Sequence, residues 1–127
     1  MPAVLDHIIV PATDKHASAS FLAGILGLVP APQYGPFIPV KISNGVTIDF
    51  MDAAGFHPHH CAFLVSEDEF DAMFARVKEA GCGYHADPGG GRPGEINTRD
   101  GGRGVYFPDP DGHSMELLTV PYGGWPS

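Results

Sequence analysis

The fold follows from the run HCAFLV at residues 60–65, in which a histidine opens a stretch of residue types that favour a pleated strand. The run HIIV at residues 7–10 begins in the same way. Six residues after each histidine stands a hydroxyl residue, Thr13 or Ser66, which is suited to accept a hydrogen bond from the unpaired amides of a helix start. The chain therefore contains two copies of one strand-and-helix unit.

Both predicted helices carry an apolar stripe and end at a glycine. The stripes recur at intervals of three and four residues and consist of Ala17, Phe21, Leu22, Ile25 and Leu26 in the first helix and of Phe70, Met73, Phe74, Val77 and Ala80 in the second. Gly27 and Gly81 follow, and glycine readily adopts the left-handed conformation that ends a helix. Ser66 and Glu69 also form a capping-box pattern.

Extended stretches follow each helix and complete two modules. They lie at residues 37–42 and 46–50 around the turn SNG in the first half, and at Tyr84, residues 104–107 and residues 114–119 in the second. The pattern predicts an α+β fold of two βαβββ modules, about 1–53 and about 57–121, within a single domain 1–127. Module two is longer because a Gly- and Pro-rich loop at 87–103 is inserted, and we expect a lid or binding loop there.

Composition excludes several function classes. Seven Lys and Arg against 15 Asp and Glu give a net charge of −8, so nucleic acid and anionic membrane surfaces are poor partners. The N-terminus resembles no targeting signal, and no window approaches the roughly 18 apolar residues of a membrane span. Cys61 and Cys82 form no CxxC pair, which suits a reducing compartment. We therefore expect a soluble, cytoplasmic protein.

Glu116 is the anomaly that indicates chemistry. It stands in a predicted strand among three apolar neighbours, and a carboxylate is rarely buried there unless it is paired or binds a metal. His60 opens a strand of the same module, and His7 holds the corresponding place in module one. If a pseudo-twofold brings the modules together, two imidazoles and one carboxylate meet. Such a set suits Mn, Fe, Co, Ni or Zn and leaves positions open for water or substrate.

These motifs also carry a family resemblance. The runs LDH at 5–7, HCAFLV at 60–65 and YFPDPDGHSMEL at 106–117 resemble the vicinal oxygen chelate superfamily, which includes glyoxalase I, fosfomycin resistance transferases, extradiol dioxygenases, methylmalonyl-CoA epimerase and bleomycin-binding proteins. The resemblance implies that His7, His60 and Glu116 bind the metal. It also implies a cup-shaped mixed sheet around that metal and a homodimer, since many relatives build the site across subunits.

This sequence differs from three families of the superfamily at residues that their activities require. Extradiol dioxygenases add a histidine shortly before the tyrosine that matches Tyr106, but residues 95–103 contain none. Fosfomycin transferases use a lysine and a serine where this chain has Ile96 and Asp100. Glyoxalase I has a Glu or Gln ligand where this chain has Asp49, which is one methylene shorter than glutamate.

The sequence thus predicts a divalent-metal enzyme that binds a small substrate through two adjacent oxygens, with lyase or isomerase chemistry preferred. Glu116 and Tyr106 are the predicted catalytic residues, Tyr106 as a donor of a hydrogen bond or proton. Asp49 and Arg103 are further candidates for the site. Two alternatives stay open: an Fe(II)-dependent extradiol-type dioxygenase, and a protein that sequesters a drug or metabolite.

Other charged and imidazole side chains receive weaker predictions. Arg92, Arg99 and Arg103 stand in or beside the loop, where either an anionic substrate group or solvent would meet them. Strand alternation points His59 away from the metal. His113 lies in the DPDG turn, and a structural role in that turn is expected for it.

Overall fold

A computed structural model describes residues 2–124 of the chain. Two compact units are present, Met1–His57 and Pro58–Ser127, which correspond to module one and module two and keep those names below. The ends of the predicted domain 1–127, residues 1 and 125–127, lie outside the described residues, and the single domain stays a prediction. No helix among residues 2–124 is long and apolar enough to cross a bilayer.

Module one is a three-stranded sheet with one helix. Its elements are β1 (His7–Ala12), α1 (Lys15–Leu26), β2 (Phe37–Lys41) and β3 (Thr47–Asp52). The central strand β3 pairs in parallel with β1 and antiparallel with β2. One face of the sheet is buried with α1 through Val10, Ala12, Ile38, Val40, Ile48 and Phe50. The opposite face, which carries His7, is therefore the one left for a site.

Module two repeats this plan. Its elements are β4 (His60–Leu64), α2 (Glu67–Ala80), β5 (Gly104–Pro108) and β6 (Ser114–Leu118), and β6 lies between β4 in parallel and β5 antiparallel. The buried core consists of Phe63, Val105, Phe107, Met115 and Leu117 from the sheet and of Phe70, Met73 and Val77 from α2. Because side chains alternate along a strand, His60 and Glu116 belong to the other face.

The strand register shows how closely the modules correspond. The residue two places after His7 pairs with Asp49, and the residue two places after His60 pairs with Glu116. Asp49 and Glu116 therefore occupy equivalent positions on the open faces of their sheets. The internal repeat that the sequence indicates is present in the backbone.

The α+β fold class and its two modules are confirmed, and each sheet is mixed. Within residues 2–124, each module has three strands instead of the predicted four. The segment between the helix and the next strand forms only an isolated bridge. His85 makes such a bridge with Tyr106 beside β5, and Tyr34 makes one with Phe37 at the start of β2. Both segments pair too briefly to count as strands.

The helix ends agree with the sequence except at one cap. Gly27 and Gly81 end the helices in the left-handed conformation, with φ of 73° and 69°. Ser66 caps α2 by accepting a hydrogen bond from the Glu69 amide at 3.1 Å. The prediction that Thr13 caps α1 is wrong, because the cap is Asp14, whose carboxylate accepts from two amides of the first turn.

The inserted loop 87–103 is anchored rather than loose. The Asn97 side chain is buried and donates to the Ala86 carbonyl at 2.8 Å, while its backbone pairs with Gly104. A Cβ at Gly104 would lie 2.9 Å from the Asn97 side chain, so glycine is required for this close approach. The loop is therefore held against the start of β5 and forms a wall beside the open face of the sheet.

Candidate metal centre and cavity

His60 and Glu116 form the core of the candidate centre. His60 Nε2 lies 3.1 Å from Glu116 Oε1, and the Glu116 side chain is only 13% exposed. The other ring nitrogen, Nδ1, lies 3.0 Å from the Ser114 carbonyl oxygen. Both contacts follow from the parallel pairing of β4 with β6, which sets His60 opposite Ser114. The sheet itself thus positions the two side chains that the sequence singles out.

The donor set fits a metal ion. A carbonyl oxygen can only accept, so Nδ1 carries the ring proton and, in a neutral imidazole, Nε2 directs its lone pair toward Glu116. Two lone pairs facing each other at 3.1 Å require a proton or a cation between them. Nitrogen and oxygen ligands bound at about 2.0–2.2 Å to one ion lie roughly 3 Å apart. The carbonyl behind Nδ1 is the outer partner typical of metal-binding histidines.

Tyr106 stands next to this pair, opposite Glu116 in the register of β5 and β6. It is 7% exposed, and its ring stacks against His60 at 5.9 Å between centroids. Burial raises the pKa of its hydroxyl, and the negative charge of Glu116 raises it further. The hydroxyl therefore stays protonated at neutral pH, with a hydrogen bond to Glu116, and can donate to a bound molecule that replaces this contact.

A cavity of about 730 Å³ opens beside the three side chains, within module two. Its apolar lining comes from Ala62, Pro88, Leu118, Val120 and Tyr122, and its polar lining comes from His60, Asn97, Arg99, Asp100, Arg103, Tyr106 and Glu116. The volume is within the usual range for small-molecule sites. The anchored loop supplies one wall, as the sequence predicts for a binding loop.

The two arginines of this cavity have different partners. Arg103 binds two acids of α2, Glu67 at 2.7 Å and Asp71 at 2.8 Å, and its guanidinium lies over the Phe70 ring. Arg99 instead donates to the Tyr106 hydroxyl at 3.2 Å. The predicted candidate Arg103 thus ties the loop end to α2, and Arg99 is the arginine next to the predicted catalytic residues.

Module one offers a second, simpler group. His7 Nδ1 lies 2.8 Å from Asp6 Oδ2, and this hydrogen bond is the main reason that the pKa of His7 is raised. Nε2 is the ring nitrogen left for a metal. Asp49 lies on the same face, and both residues line a cavity of about 500 Å³ with Lys41 and Thr47. That His7 joins His60 and Glu116 at one ion stays a prediction from the sequence.

A third group of ligand-type side chains lies in the turn between β5 and β6. Atoms of Asp109, Asp111 and His113 lie within 4.8 Å of one another. Asp109 Oδ1 accepts from the amides of Asp111 and His113, and His113 Nδ1 accepts from the His59 amide at 2.7 Å. Asp109 Oδ2 is buried without a partner among the described residues, and burial raises the pKa of this carboxyl. These bonds build the turn, which is the role expected of His113.

Sequence reasoning missed two residues near the site, His85 beside Tyr106 and Asp87 beside Arg99. The His85 ring stacks on Tyr106 at 5.7 Å and 8° between planes, because the bridge between these residues sets them side by side. Asp87 binds Arg99 at 2.5 Å and Arg92 through both of its oxygens at 2.9 Å. The His85 contact has no local signal, since its two segments meet only in the folded chain, and the Asp87 contacts depend on how the loop 87–103 folds back on itself.

Comparison with known families agrees with this geometry. The model of the Glyoxalase/Bleomycin resistance protein/Dioxygenase superfamily matches residues 4–117. The chain belongs to this superfamily. Divalent metals are cofactors of superfamily members such as FosA and FosB. Members bind small substrates and are often dimers.

Three relatives in this superfamily illustrate its range. Oxidase ChaP-H2 is a solved structure with 61% identity and a TM-score of 0.95, covering 98% of this chain and 100% of that chain. Glutathione transferase FosA of Serratia marcescens is 25% identical over 120 residues, 89% of this chain and 78% of FosA. Metallothiol transferase FosB of Shouchella clausii (strain KSM-K16) is 42% identical over 60 residues. That match spans 47% of this chain and only 37% of FosB.

Proposed function

We propose that this chain is a metal-dependent oxidase whose substrate binds through two adjacent oxygens beside His60 and Glu116. The observation that carries the proposal is the 3.1 Å approach of His60 Nε2 to Glu116 Oε1, with the imidazole held from behind by the Ser114 carbonyl. His7 is the third ligand in this proposal, as the sequence predicts. A divalent ion held there supplies a Lewis acid with open positions for substrate oxygens.

The surrounding side chains have definite tasks in this proposal. Tyr106, kept protonated by burial and by Glu116, donates a hydrogen bond to a substrate oxygen that becomes more negative during the reaction. The apolar wall of the cavity reduces the water around that oxygen, which strengthens the hydrogen bond. His85 places a second imidazole against the Tyr106 ring. Extradiol dioxygenases have a histidine shortly before the matching tyrosine, and residues 95–103 lack one. Because His85 brings an imidazole to Tyr106 instead, this lack is a weaker argument against oxidative chemistry.

The choice of oxidase over lyase or isomerase rests on likeness. Oxidase ChaP-H2 is 61% identical over nearly the whole chain, whereas FosA is 25% identical and FosB aligns over 60 residues. Lyase or isomerase chemistry, which the sequence favours, remains the second candidate because the same ligand set also serves proton transfer. Cytoplasmic location and a homodimer stay predictions, and a sequestering protein is the alternative without turnover.

Oxygen uptake tests the proposal directly. The protein is loaded anaerobically with Fe(II), mixed with catechol or one of its carboxylated derivatives, and followed with an oxygen electrode. We expect oxygen uptake that is lost in His60→Ala and in protein loaded with Zn(II), because zinc has no redox chemistry. A His59→Ala variant is the matched control, since its neighbour His60 and not His59 lines the cavity.

The same preparation separates the alternatives. Conversion of the hemithioacetal of methylglyoxal and glutathione under argon, with no oxygen uptake on any catechol, would replace the oxidase by a lyase or isomerase. Tight binding of a catechol that survives the His60→Ala/Glu116→Ala double change, without turnover, would favour sequestration. Less than about a tenth of an equivalent of any first-row divalent ion bound by the folded protein would remove the metal centre itself.

A further inference from the structure

The two arginines of the cavity wall belong to ion-paired groups of different net charge. Arg103 shares its charge with two carboxylates, Glu67 and Asp71, so this group of three carries a net charge of 1 − 2 = −1. Arg99 shares one carboxylate, Asp87, with a second guanidinium, that of Arg92. The three ion-paired residues carry 2 − 1 = +1, and the charge of Glu95 also acts on Arg92. On a chain with a net charge of −8, the cavity thus has a positive group where Arg99 stands, while the carboxylates of Asp100 and Glu116 also line it.

Arg99 also keeps hydrogen-bonding capacity. A guanidinium has five N–H donors, and the bonds described for its side chain use two, one to Tyr106 and one to Asp87. The side chain is 45% exposed and lines the cavity. Asp87 holds it in place, so little conformational entropy remains to be lost when a ligand binds. The remaining donors suit a carboxylate, whose single charge matches that of the group and whose two oxygens match a planar guanidinium.

We propose that Arg99 recognises a carboxylate on the substrate, so that the cavity selects compounds carrying a carboxylate in addition to two adjacent oxygens. The inference rests on the proposed function, because it assumes that the oxygen pair binds beside His60 and Glu116. Tyr106 lies between Arg99 and the proposed metal ligands, since its hydroxyl accepts a hydrogen bond from Arg99 and its strand position is opposite Glu116. The substrate class is therefore a small aromatic or enolic acid with vicinal oxygens.

The test compares three probes by titration calorimetry on Zn(II)-loaded protein, which binds catechols without oxidising them. The probes are catechol, 2,3-dihydroxybenzoate and 3,4-dihydroxybenzoate, and the measured quantity is the ratio of the Kd of catechol to that of each acid. We expect a ratio of about ten for at least one acid in the wild type, the usual effect of one charge-assisted hydrogen-bonded pair. Arg99→Gln should bring this ratio to about one, and Arg99→Lys should leave part of it.

Arg92→Gln is the matched control, because Arg92 binds the same Asp87 but does not line the cavity. Because it lowers the charge of the group to 1 − 1 = 0 but leaves the Arg99 donors in the cavity, it should lower the ratio by less than Arg99→Gln does, and an equal or larger loss would overturn the role of those donors. Equal Kd values for catechol and both acids in the wild type, or an unchanged ratio in folded Arg99→Gln, would overturn the role of Arg99. Failure of catechol itself to bind the Zn(II)-loaded wild type would instead overturn the proposed function, and circular dichroism confirms that each variant is folded.

Discussion

Module one and module two have the same strand order and register, but they present different chemistry on equivalent positions. In module two Glu116 reaches back to His60, whereas in module one His7 pairs with its neighbour Asp6 and the equivalent acid is Asp49. One methylene separates the two acids. The repeated backbone therefore places the Cα atoms of Asp49 and Glu116 at equivalent positions, and the length of each side chain decides which groups it can contact.

The inserted loop is the other difference between the modules. Residues 87–103 have no counterpart in module one, and they give module two a cavity wall with Asn97 and Arg99. The cavity of module one has Lys41 as its cation and is smaller, about 500 Å³ against about 730 Å³. We therefore place the main substrate contacts in module two, and four predictions test this difference.

The largest effect is expected at the two equivalent acids. Glu116→Gln should weaken Co(II) or Zn(II) binding by more than about 100-fold, since it removes a ligand and even changes to outer partners of ligands cost up to that much. Asp49→Asn, the matched variant of module one, should change the affinity by less than about tenfold. Metal competition titrations with a chromophoric chelator measure both. Equal losses would mean that the acids contribute equally.

Core substitutions probe the stability of each module. Phe50→Ala in β3 should cost about 3–5 kcal/mol, and Leu117→Ala at the equivalent position of β6 about 2–5 kcal/mol, because both side chains are fully buried. Hydrogen exchange followed by mass spectrometry should show the earliest rise in exchange rate in the amides of α1 for Phe50→Ala. For Leu117→Ala the earliest rise should be in the amides of α2. Leu117→Met conserves volume and should cost less than about 1.5 kcal/mol, and Phe50→Leu should cost less than Phe50→Ala. A cost below that limit for either alanine variant would contradict the packing.

A smaller effect is expected at the helix caps. Asp14→Ala should destabilise by about 1–2 kcal/mol, since the carboxylate accepts from two amides and its charge complements the helix N-terminus. Ser66→Ala removes one such bond and should cost about 1 kcal/mol. Urea denaturation measures both, with Asp14→Asn and Ser66→Thr as conservative controls. A greater loss at Ser66 than at Asp14 would reverse the comparison.

The smallest effect concerns pH and the loop. The hydrogen bond from Arg92 is the main reason that the pKa of Asp87 is lowered. The ionised Asp87 therefore stabilises the fold above its ordinary pKa of about 4. This contribution is lost as the pH falls through the lower pKa of the folded state. The difference in Tm between the wild type and Asp87→Asn should therefore shrink as the pH is lowered from about 6 to about 3. A difference that is constant over this range would show that the ion pairs of Asp87 do not support the loop.

Much of the fold could be predicted from the sequence because its determinants are local. The glycines after each helix, the Ser66 cap and the strands opened by His7 and His60 depend on near neighbours along the chain. The prediction failed at Thr13 because the helix begins one residue later, and Asp14 accepts hydrogen bonds from the amides of its first turn. The sequence also singled out Glu116, since an acid in an apolar strand is unusual wherever the strand lies.

The sequence by itself thus determined the superfamily, the two modules and the residues proposed for the metal centre, because all of these follow from periodicity and short motifs. Only the tertiary structure decided which arginine contacts Tyr106. Arg99 and Arg103 look alike in the sequence, but α2 brings two acids to Arg103, while the pairing of the loop with β5 brings Arg99 to Tyr106. Charge neutralisation acts through space, and the distances that decide it exist only once the chain is folded.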